Sequence, residues 1–64
     1  MEEALRLFSE VYPDATATAE KIESGVYLIT ADFPDGRFYF IVDTKENLIS
    51  SGKEDKENIL GAYL

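Results

Sequence analysis

The chain has 64 residues, of which 45% are hydrophobic, and it contains no cysteine and no histidine. A chain of this length forms one domain, residues 1–64, which buries only about 60% of its unfolded surface and unfolds at a free-energy cost of roughly a few kcal/mol. The hydrophobic content is too high for intrinsic disorder. Neither a disulfide nor a thiolate zinc site can stabilise the fold. The core is therefore expected to consist of aliphatic and aromatic side chains alone.

Thirteen acidic residues against six basic ones give a net charge of −7. Such a chain repels phosphate backbones and anionic membranes, so direct binding to nucleic acid or to a membrane is not expected. A basic protein partner is compatible with this charge, and so is plain solubility. No apolar run approaches the roughly 20 residues of a membrane span. Glu2 and Glu3 have the opposite charge to the start of a signal peptide, so the chain as given is expected to be soluble and cytoplasmic. A processed fragment of an extracytoplasmic protein would look the same, so this alternative leaves the compartment open.

The first predicted element is a helix over residues 1–12. Its apolar residues recur at spacings of three and four, which places them on one face: Met1, Ala4, Leu5, Phe8, Val11 and Tyr12. Glu2 and Glu3 lie in the first turn, where they complement the helix dipole. Pro13 disfavours helical backbone at Tyr12 and ends the element.

The segment over residues 15–23 begins with alternating alanine and threonine, which favour helix and strand respectively, and ends in Lys21-Ile22-Glu23. Strand is the better interpretation, because Ser24-Gly25 offers a two-residue reversal into a clear strand beyond it. The segment has few large side chains, and this is typical of an edge strand.

Two further strands, residues 26–33 and 37–44, are rich in β-branched and aromatic residues and flank the turn Pro34-Asp35-Gly36. A turn over residues 45–47 leads into a short strand over residues 48–50. Ser51 and Glu54 have capping-box spacing and open a second helix, which extends from Glu54 to Leu64. Its apolar stripe consists of Ile59, Leu60, Tyr63 and Leu64. The predicted fold is therefore α+β: an N-terminal helix, an antiparallel β-meander of three to four strands, and a C-terminal helix.

The register of the central hairpin has two alternatives. A two-residue Asp35-Gly36 loop pairs Phe33 with Phe38, and one face becomes uniformly apolar: Tyr27, Ile29, Ala31, Phe33, Phe38, Phe40 and Val42. A three-residue loop from Pro34 to Gly36 pairs Phe33 with Arg37 and divides the aromatic residues between the two faces. The burial pattern favours the first, whereas the proline favours the second, and we expect the three-residue loop.

Catalysis by the chain's own side chains is not expected. Without histidine or cysteine there is no ordinary general base near neutral pH, no activated serine and no thiolate or imidazole metal ligand. The segment from Asp43 to Asn47 weakly resembles the pattern of an EF-hand calcium-binding loop. However, Lys45 stands where that pattern needs a metal ligand, and Leu48 stands where it needs glycine. A solvated turn is the better interpretation, so we expect neither a metal nor a cofactor. Four aromatic residues lack a basic groove and are interpreted as core: Tyr27, Phe38, Tyr39 and Phe40.

The segment from Glu3 to Ser50 resembles a PepSY or PepSY-like domain, in which a short helix is followed by three or four antiparallel strands. The matching residues are Glu3–Leu5, Tyr12–Ala15, Gly25–Ile29, Asp35–Asp43 and Glu46–Ile49. The family usually has glycine near the position of Asn47, and the C-terminal helix lies beyond the family's pattern. The resemblance implies a non-enzymatic module that binds or inhibits a protein, often a peptidase and often outside the cytoplasm, and it transfers no site residues.

Taken together, the sequence predicts a small acidic protein-binding or inhibitory module, monomeric or weakly dimeric, that acts through its sheet surface and its carboxylates. In either register the second face of the sheet keeps large apolar residues, and the C-terminal helix is expected to cover part of them. The rest of that face is the predicted partner surface, with five candidate residues: Leu28, Asp32, Tyr39, Ile41 and Asp43. One alternative is an acidic phage-type inhibitor or DNA mimic, similar to anti-CRISPR proteins, that occupies a nucleic-acid-binding site on a host protein. Another is a designed or purely structural fold without an activity of its own.

Overall fold

The computed structural model describes residues 2–63 and contains two helices and four strands. In chain order these are α1 (Glu2–Val11), β1 (Thr16–Glu23), β2 (Val26–Phe33), β3 (Gly36–Asp43), β4 (Leu48–Ile49) and α2 (Lys56–Tyr63). The strands form one antiparallel sheet in the order β1-β2-β3-β4. This confirms the predicted α+β fold, with the alanine- and threonine-rich strand at one edge. Met1 and Leu64, which the sequence placed in the two helices, lie outside the described residues.

Helix α1 packs on one face of the sheet through Ala4 and Phe8, which are both buried. The larger core cluster forms here and combines these two residues with Ile29, Ala31, Phe40 and Val42. Val11 was predicted to join this apolar face, but it is 57% exposed. Tyr12 lies in its place, with its ring centroid 4.9 Å from that of Phe8. Val11 is the last residue of α1, so the chain leaves the helix there and turns the next ring onto the core.

The β2–β3 hairpin has a register that neither sequence alternative predicted. Phe33 pairs with Gly36 and Asp32 with Arg37, so the loop consists of Pro34 and Asp35. Proline provides the φ angle of the first loop position, and Gly36 then begins β3 with φ of 150°, which other residues rarely adopt. The expected three-residue loop is therefore wrong.

The actual register differs by two residues from the other alternative, the Asp35-Gly36 loop. A shift of two preserves which face each side chain occupies. The apolar face that this alternative implied is consequently present, with Ala31 opposite Phe38, Ile29 opposite Phe40 and Tyr27 opposite Val42.

The chain continues to pair with β3 after β4 ends, through an irregular segment over residues 50–53. The Ile41 amide donates to the Ser50 hydroxyl oxygen over 2.9 Å, where a backbone carbonyl would accept in a regular ladder. Tyr39 and Lys53 then exchange two backbone hydrogen bonds of 2.7 and 2.9 Å. Ser51 therefore belongs to this extended segment and does not cap a helix, contrary to the sequence prediction.

Helix α2 begins later than predicted, and Asp55 caps it. Its carboxylate accepts a hydrogen bond of 2.8 Å from the amide of Glu57, as an N-cap aspartate does. The predicted start at Glu54 is corrected accordingly. Residues 50–53 are held against β3, so the backbone becomes free to turn into a helix only after Lys53.

Helix α2 packs on the opposite face of the sheet and forms a second, smaller cluster. Its Ile59 is buried together with Val26, Leu28 and Ile41. Leu60 and Tyr63 pack around these residues, so the predicted packing of α2 on the sheet is confirmed for its described part. Within residues 2–63, no helix is long and apolar enough to cross a membrane.

Helix α2 is hydrogen-bonded to the end of β1, next to a shift in the pairing of that strand. Between Lys21 and Glu23 the pairing with β2 slips by one residue, which places Glu23 opposite Val26. The Tyr63 hydroxyl donates a hydrogen bond to the Glu23 carboxylate. This bond, together with reduced hydration and the negative charges of Glu23 and Asp43, raises the pKa of Tyr63 to about 12 from its ordinary value of 10.0.

Candidate functional site: an aromatic groove

A shallow groove of about 320 Å³ lies on the α1 side of the sheet, at the end where β2 turns into β3. We call it the aromatic groove, and it is lined by Tyr12, Phe33, Asp35, Phe38, Phe40 and Gly52. Its volume is at the lower end of the roughly 300–1,000 Å³ range of small-molecule sites. The groove therefore has room for one or two side chains and not for a large cofactor.

Three separate parts of the chain supply the rings of the groove. Tyr12 follows α1, Phe33 ends β2, and Phe38 lies two residues into β3 after Gly36. The centroid of the Phe33 ring lies 5.7 Å from that of Tyr12 at an interplanar angle of 90°, and 5.7 Å from that of Phe38 at 82°. These are the edge-to-face arrangements that aromatic pairs prefer. The three rings are only half-buried, so each keeps part of its surface open to the groove.

Phe40 and Gly52 form the base of the groove. Phe40 is only 3% exposed, and its ring contacts those of Phe8 and Tyr12 at centroid distances of 4.8 and 5.0 Å. Gly52 approaches the Phe40 ring so closely that an added Cβ would lie 2.7 Å from it. A side chain at Gly52 would displace the buried ring, so glycine is required here by space.

The charge around the groove is divided between the two faces of the sheet. Asp35 is exposed at the rim, and within residues 2–63 its carboxylate has no hydrogen-bond or ion-pair partner. Arg37 pairs with Asp32 across the hairpin, and side chains alternate along a strand, so both point away from the face of Phe33 and Phe38. The groove is consequently lined by rings, by Gly52 and by one acidic residue whose carboxylate has no partner in the described part of the chain.

The neighbouring cations are held on the opposite face. The Arg37 guanidinium donates to the two carboxylate oxygens of Asp32 over 2.7 and 3.3 Å. This hydrogen bonding lowers the pKa of Asp32 and raises that of Arg37. Lys53 is paired with Tyr39 and so shares that same face. Neither cation neutralises the rim of the aromatic groove.

The five residues of the predicted partner surface do share one face of the sheet, but it is the face that α2 covers. Leu28 is 3% exposed and Ile41 is 7% exposed, so neither is accessible to a partner while α2 is docked. Tyr39 is half-buried against the same cluster. The apolar excess expected on this face is therefore largely covered by the chain itself.

The two aspartates of the predicted surface have local roles. Asp32 pairs with Arg37, and Asp43 accepts hydrogen bonds of 3.0 and 3.2 Å from the amides of Lys45 and Glu46. The faint calcium-loop pattern thus corresponds to a turn in which a carboxylate binds backbone amides. Among residues 2–63 there is no group of three carboxylates placed to hold a metal ion.

The sequence interpretation assigned Phe38 to the core and did not anticipate the aromatic groove. No local pattern could have revealed it, because Tyr12, Phe33 and Gly52 become neighbours only through the packing of α1 and of residues 50–53. The useful signal was the number of aromatic residues near the hairpin turn. Comparisons with protein-family models, with curated proteins and with solved structures give no match to this chain.

Proposed function

We propose that the protein is a non-enzymatic binding module that holds a protein partner at the aromatic groove. The observation that carries this proposal is the group of three half-buried rings, Tyr12, Phe33 and Phe38, around an open groove on a chain of only 64 residues. The proposal moves the partner surface from the α2 face, where the sequence placed it, to the α1 face.

The rings have the properties of residues that dominate the energetics of protein interfaces. Large, rigid aromatic side chains are enriched at interface hot spots, where they become fully buried on binding. Single exposed apolar residues such as Leu48 need no explanation, whereas contiguous ones mark a contact site. Covering the open parts of the rings would contribute about 25 cal/mol for each Å² of apolar surface removed from water.

The resemblance to the PepSY family supports the same class of function. A helix followed by an antiparallel meander corresponds to the family's arrangement. Asn47 has φ of 56°, in the left-handed region that glycine adopts most easily and asparagine next. The family usually has glycine near this position, and the conformation of Asn47 is one that a glycine adopts readily.

The test is capture of partners from a lysate of the source cells by the immobilised protein and by two variants. Phe38→Ala removes one wall of the groove, and Leu48→Ala removes an apolar side chain that is 62% exposed in β4, away from the groove. We expect a captured protein that the wild type and Leu48→Ala retain and that Phe38→Ala loses, with circular dichroism confirming that both variants are folded. Equal capture by all three proteins would contradict the proposal.

Salt separates this function from that of an acidic mimic. Apolar contacts at the groove persist at high ionic strength, whereas attraction between separated charges is screened over about 10 Å at 0.1 M salt. Capture that requires Phe38 and is retained in part at high salt supports docking at the groove. Capture that disappears at high salt and is indifferent to Phe38→Ala would support the mimic instead.

A further inference from the structure

We infer that the aromatic groove takes an arginine side chain from an extended, basic segment of the partner. The inference rests on the proposed function and specifies the chemistry of the partner. It follows from three features that coincide at the groove: ring faces, an acidic residue, Asp35, whose carboxylate has no partner within residues 2–63, and the placement of Arg37 and Lys53 on the opposite face.

The rings provide the first part of the site. A guanidinium group is attracted to the face of an aromatic ring within about 6 Å of its centroid, and it stacks there more readily than an ammonium group. Because Phe33 is nearly perpendicular to both Tyr12 and Phe38, the groove presents ring faces in more than one direction. A flat, cationic group can therefore contact a ring face while its aliphatic stem covers a second ring.

Asp35 provides the second part. Asp35 lines the groove, and its carboxylate has no partner within residues 2–63, so it is free to accept two parallel hydrogen bonds from a guanidinium group. Asp32, three residues before it, is already occupied by Arg37 on the opposite face. The chain thus neutralises one carboxylate of the hairpin with its own arginine and leaves the other open.

The overall charge favours the same ligand. A net charge of −7 raises the rate at which a basic segment meets the protein. The groove's volume of about 320 Å³ admits one long side chain with its adjoining backbone. An extended segment with an inserted arginine fits this space, whereas a folded apolar element does not.

The test uses two short peptides of identical shape, one with a central arginine between glycines and one with citrulline in its place. Citrulline keeps the planar group but removes the charge. Binding is followed by NMR through the ring resonances of Tyr12, Phe33 and Phe38 and the amide of Gly52. We expect the arginine peptide to shift these resonances with a dissociation constant on the order of millimolar, and the citrulline peptide to bind about tenfold more weakly.

Matched variants locate the interaction. Asp35→Asn and Glu46→Gln each remove one negative charge, but Glu46 lies in the β3–β4 turn away from the groove. We expect Asp35→Asn to weaken binding of the arginine peptide about tenfold and Glu46→Gln to change it less than twofold. Phe38→Leu, which keeps apolar bulk without a ring, should weaken it severalfold.

Several results would overturn the inference. Equal affinity for both peptides at the groove would refute the cationic ligand but leave the groove as an apolar docking site. If Asp35→Asn and Glu46→Gln weaken binding of the arginine peptide equally, the attraction comes from the overall negative charge and not from a site at Asp35. Shifts confined to β1 or α2, or no shifts up to several times the expected dissociation constant, would exclude arginine binding here. None of these results would by itself refute the proposed function, which the capture experiment decides.

Discussion

Both faces of the sheet carry apolar side chains, more of them on the α1 face, and the two faces are covered in different ways. On the α1 face, Phe8 packs beside Tyr12 and Phe40 in a cluster of rings that stays partly open at the hairpin end. On the α2 face, Ile59 completes a small aliphatic cluster, and the rest of that face is polar, with Thr30, Asp32 and Arg37 at its surface. Large apolar residues predicted on the second face of a sheet are therefore not by themselves a binding surface, because a short terminal helix can cover them.

The different size and packing of aromatic and aliphatic side chains explain part of this difference. One turn of helix can enclose a few aliphatic side chains. Ile59 of α2 packs with Leu28 and Ile41 in this way. Aromatic rings extend further from the backbone, and edge-to-face packing leaves ring faces open at the border of a cluster. A ten-residue helix such as α1 covers the centre of its face and leaves the rings at the border half-exposed.

The largest expected change in stability comes from removing the aromatic ring at the centre of the α1 face. Phe40→Ala should lower the free energy of unfolding by about 3–5 kcal/mol, because it leaves a cavity among packed rings. That is comparable with the whole stability of so small a domain, so the variant should be largely unfolded. Urea unfolding followed by circular dichroism measures this, with Leu48→Ala expected to remain within about 0.5 kcal/mol of the wild type. A near-native curve for Phe40→Ala would refute the assignment of this core.

Removal of the cover on the second face should have the next largest effect. Ile59→Ala should cost about 2–5 kcal/mol, towards the lower end because the short α2 can adjust or detach. Deletion of residues 59–64 should expose Leu28 and Ile41 and cause self-association, visible as larger species in sedimentation velocity. A truncated chain that stays monomeric and equally stable would show that α2 contributes nothing to this face.

A pair of glycine substitutions compares the two faces with the same chemical change. Gly52→Ala places a methyl group against the Phe40 ring and should destabilise the protein by about 1–3 kcal/mol through overpacking. Gly61→Ala lies within α2, where an added Cβ meets no atom within 4 Å, and it should stabilise the protein by about 0.5–1 kcal/mol through its helix propensity. Chemical denaturation of both variants provides the measurement. An unchanged or raised stability of Gly52→Ala would contradict the packing described for Gly52.

The smallest expected effect concerns the bond between Tyr63 and Glu23 and its dependence on pH. The pKa of Tyr63 is raised from 10.0 to about 12 in the folded protein, so the neutral hydroxyl is the stabilised form. Its contribution to stability is complete below pH 10.0 and is lost as the pH rises towards about 12. Thermal unfolding of the wild type and of Tyr63→Phe should therefore differ at pH 9 and converge by about pH 12. A constant difference across this range would show that the bond does not titrate.

Local sequence signals determined the identity and order of the elements. Pro13 ended α1, Ser24-Gly25 formed the first reversal, and the dense β-branched and aromatic runs formed β2 and β3, as the sequence predicted. Each signal acts through backbone preferences of neighbouring residues. For this reason the α+β architecture, the edge position of β1 and the docking of α2 followed from the sequence.

The tertiary structure decided three features that depend on distant contacts. Two loop lengths at Pro34-Asp35-Gly36 are compatible with local preferences, and the pairing of β2 with β3 selected a third arrangement in which Gly36 begins the strand. Ser51 offered a helix cap, but hydrogen bonds with β3 held its neighbours extended, and Asp55 became the cap instead. The aromatic groove arose only when α1, the hairpin and residues 50–53 met in space. A sequence specifies local backbone preference strongly, whereas the neighbours of a side chain depend on long-range packing that no single segment encodes.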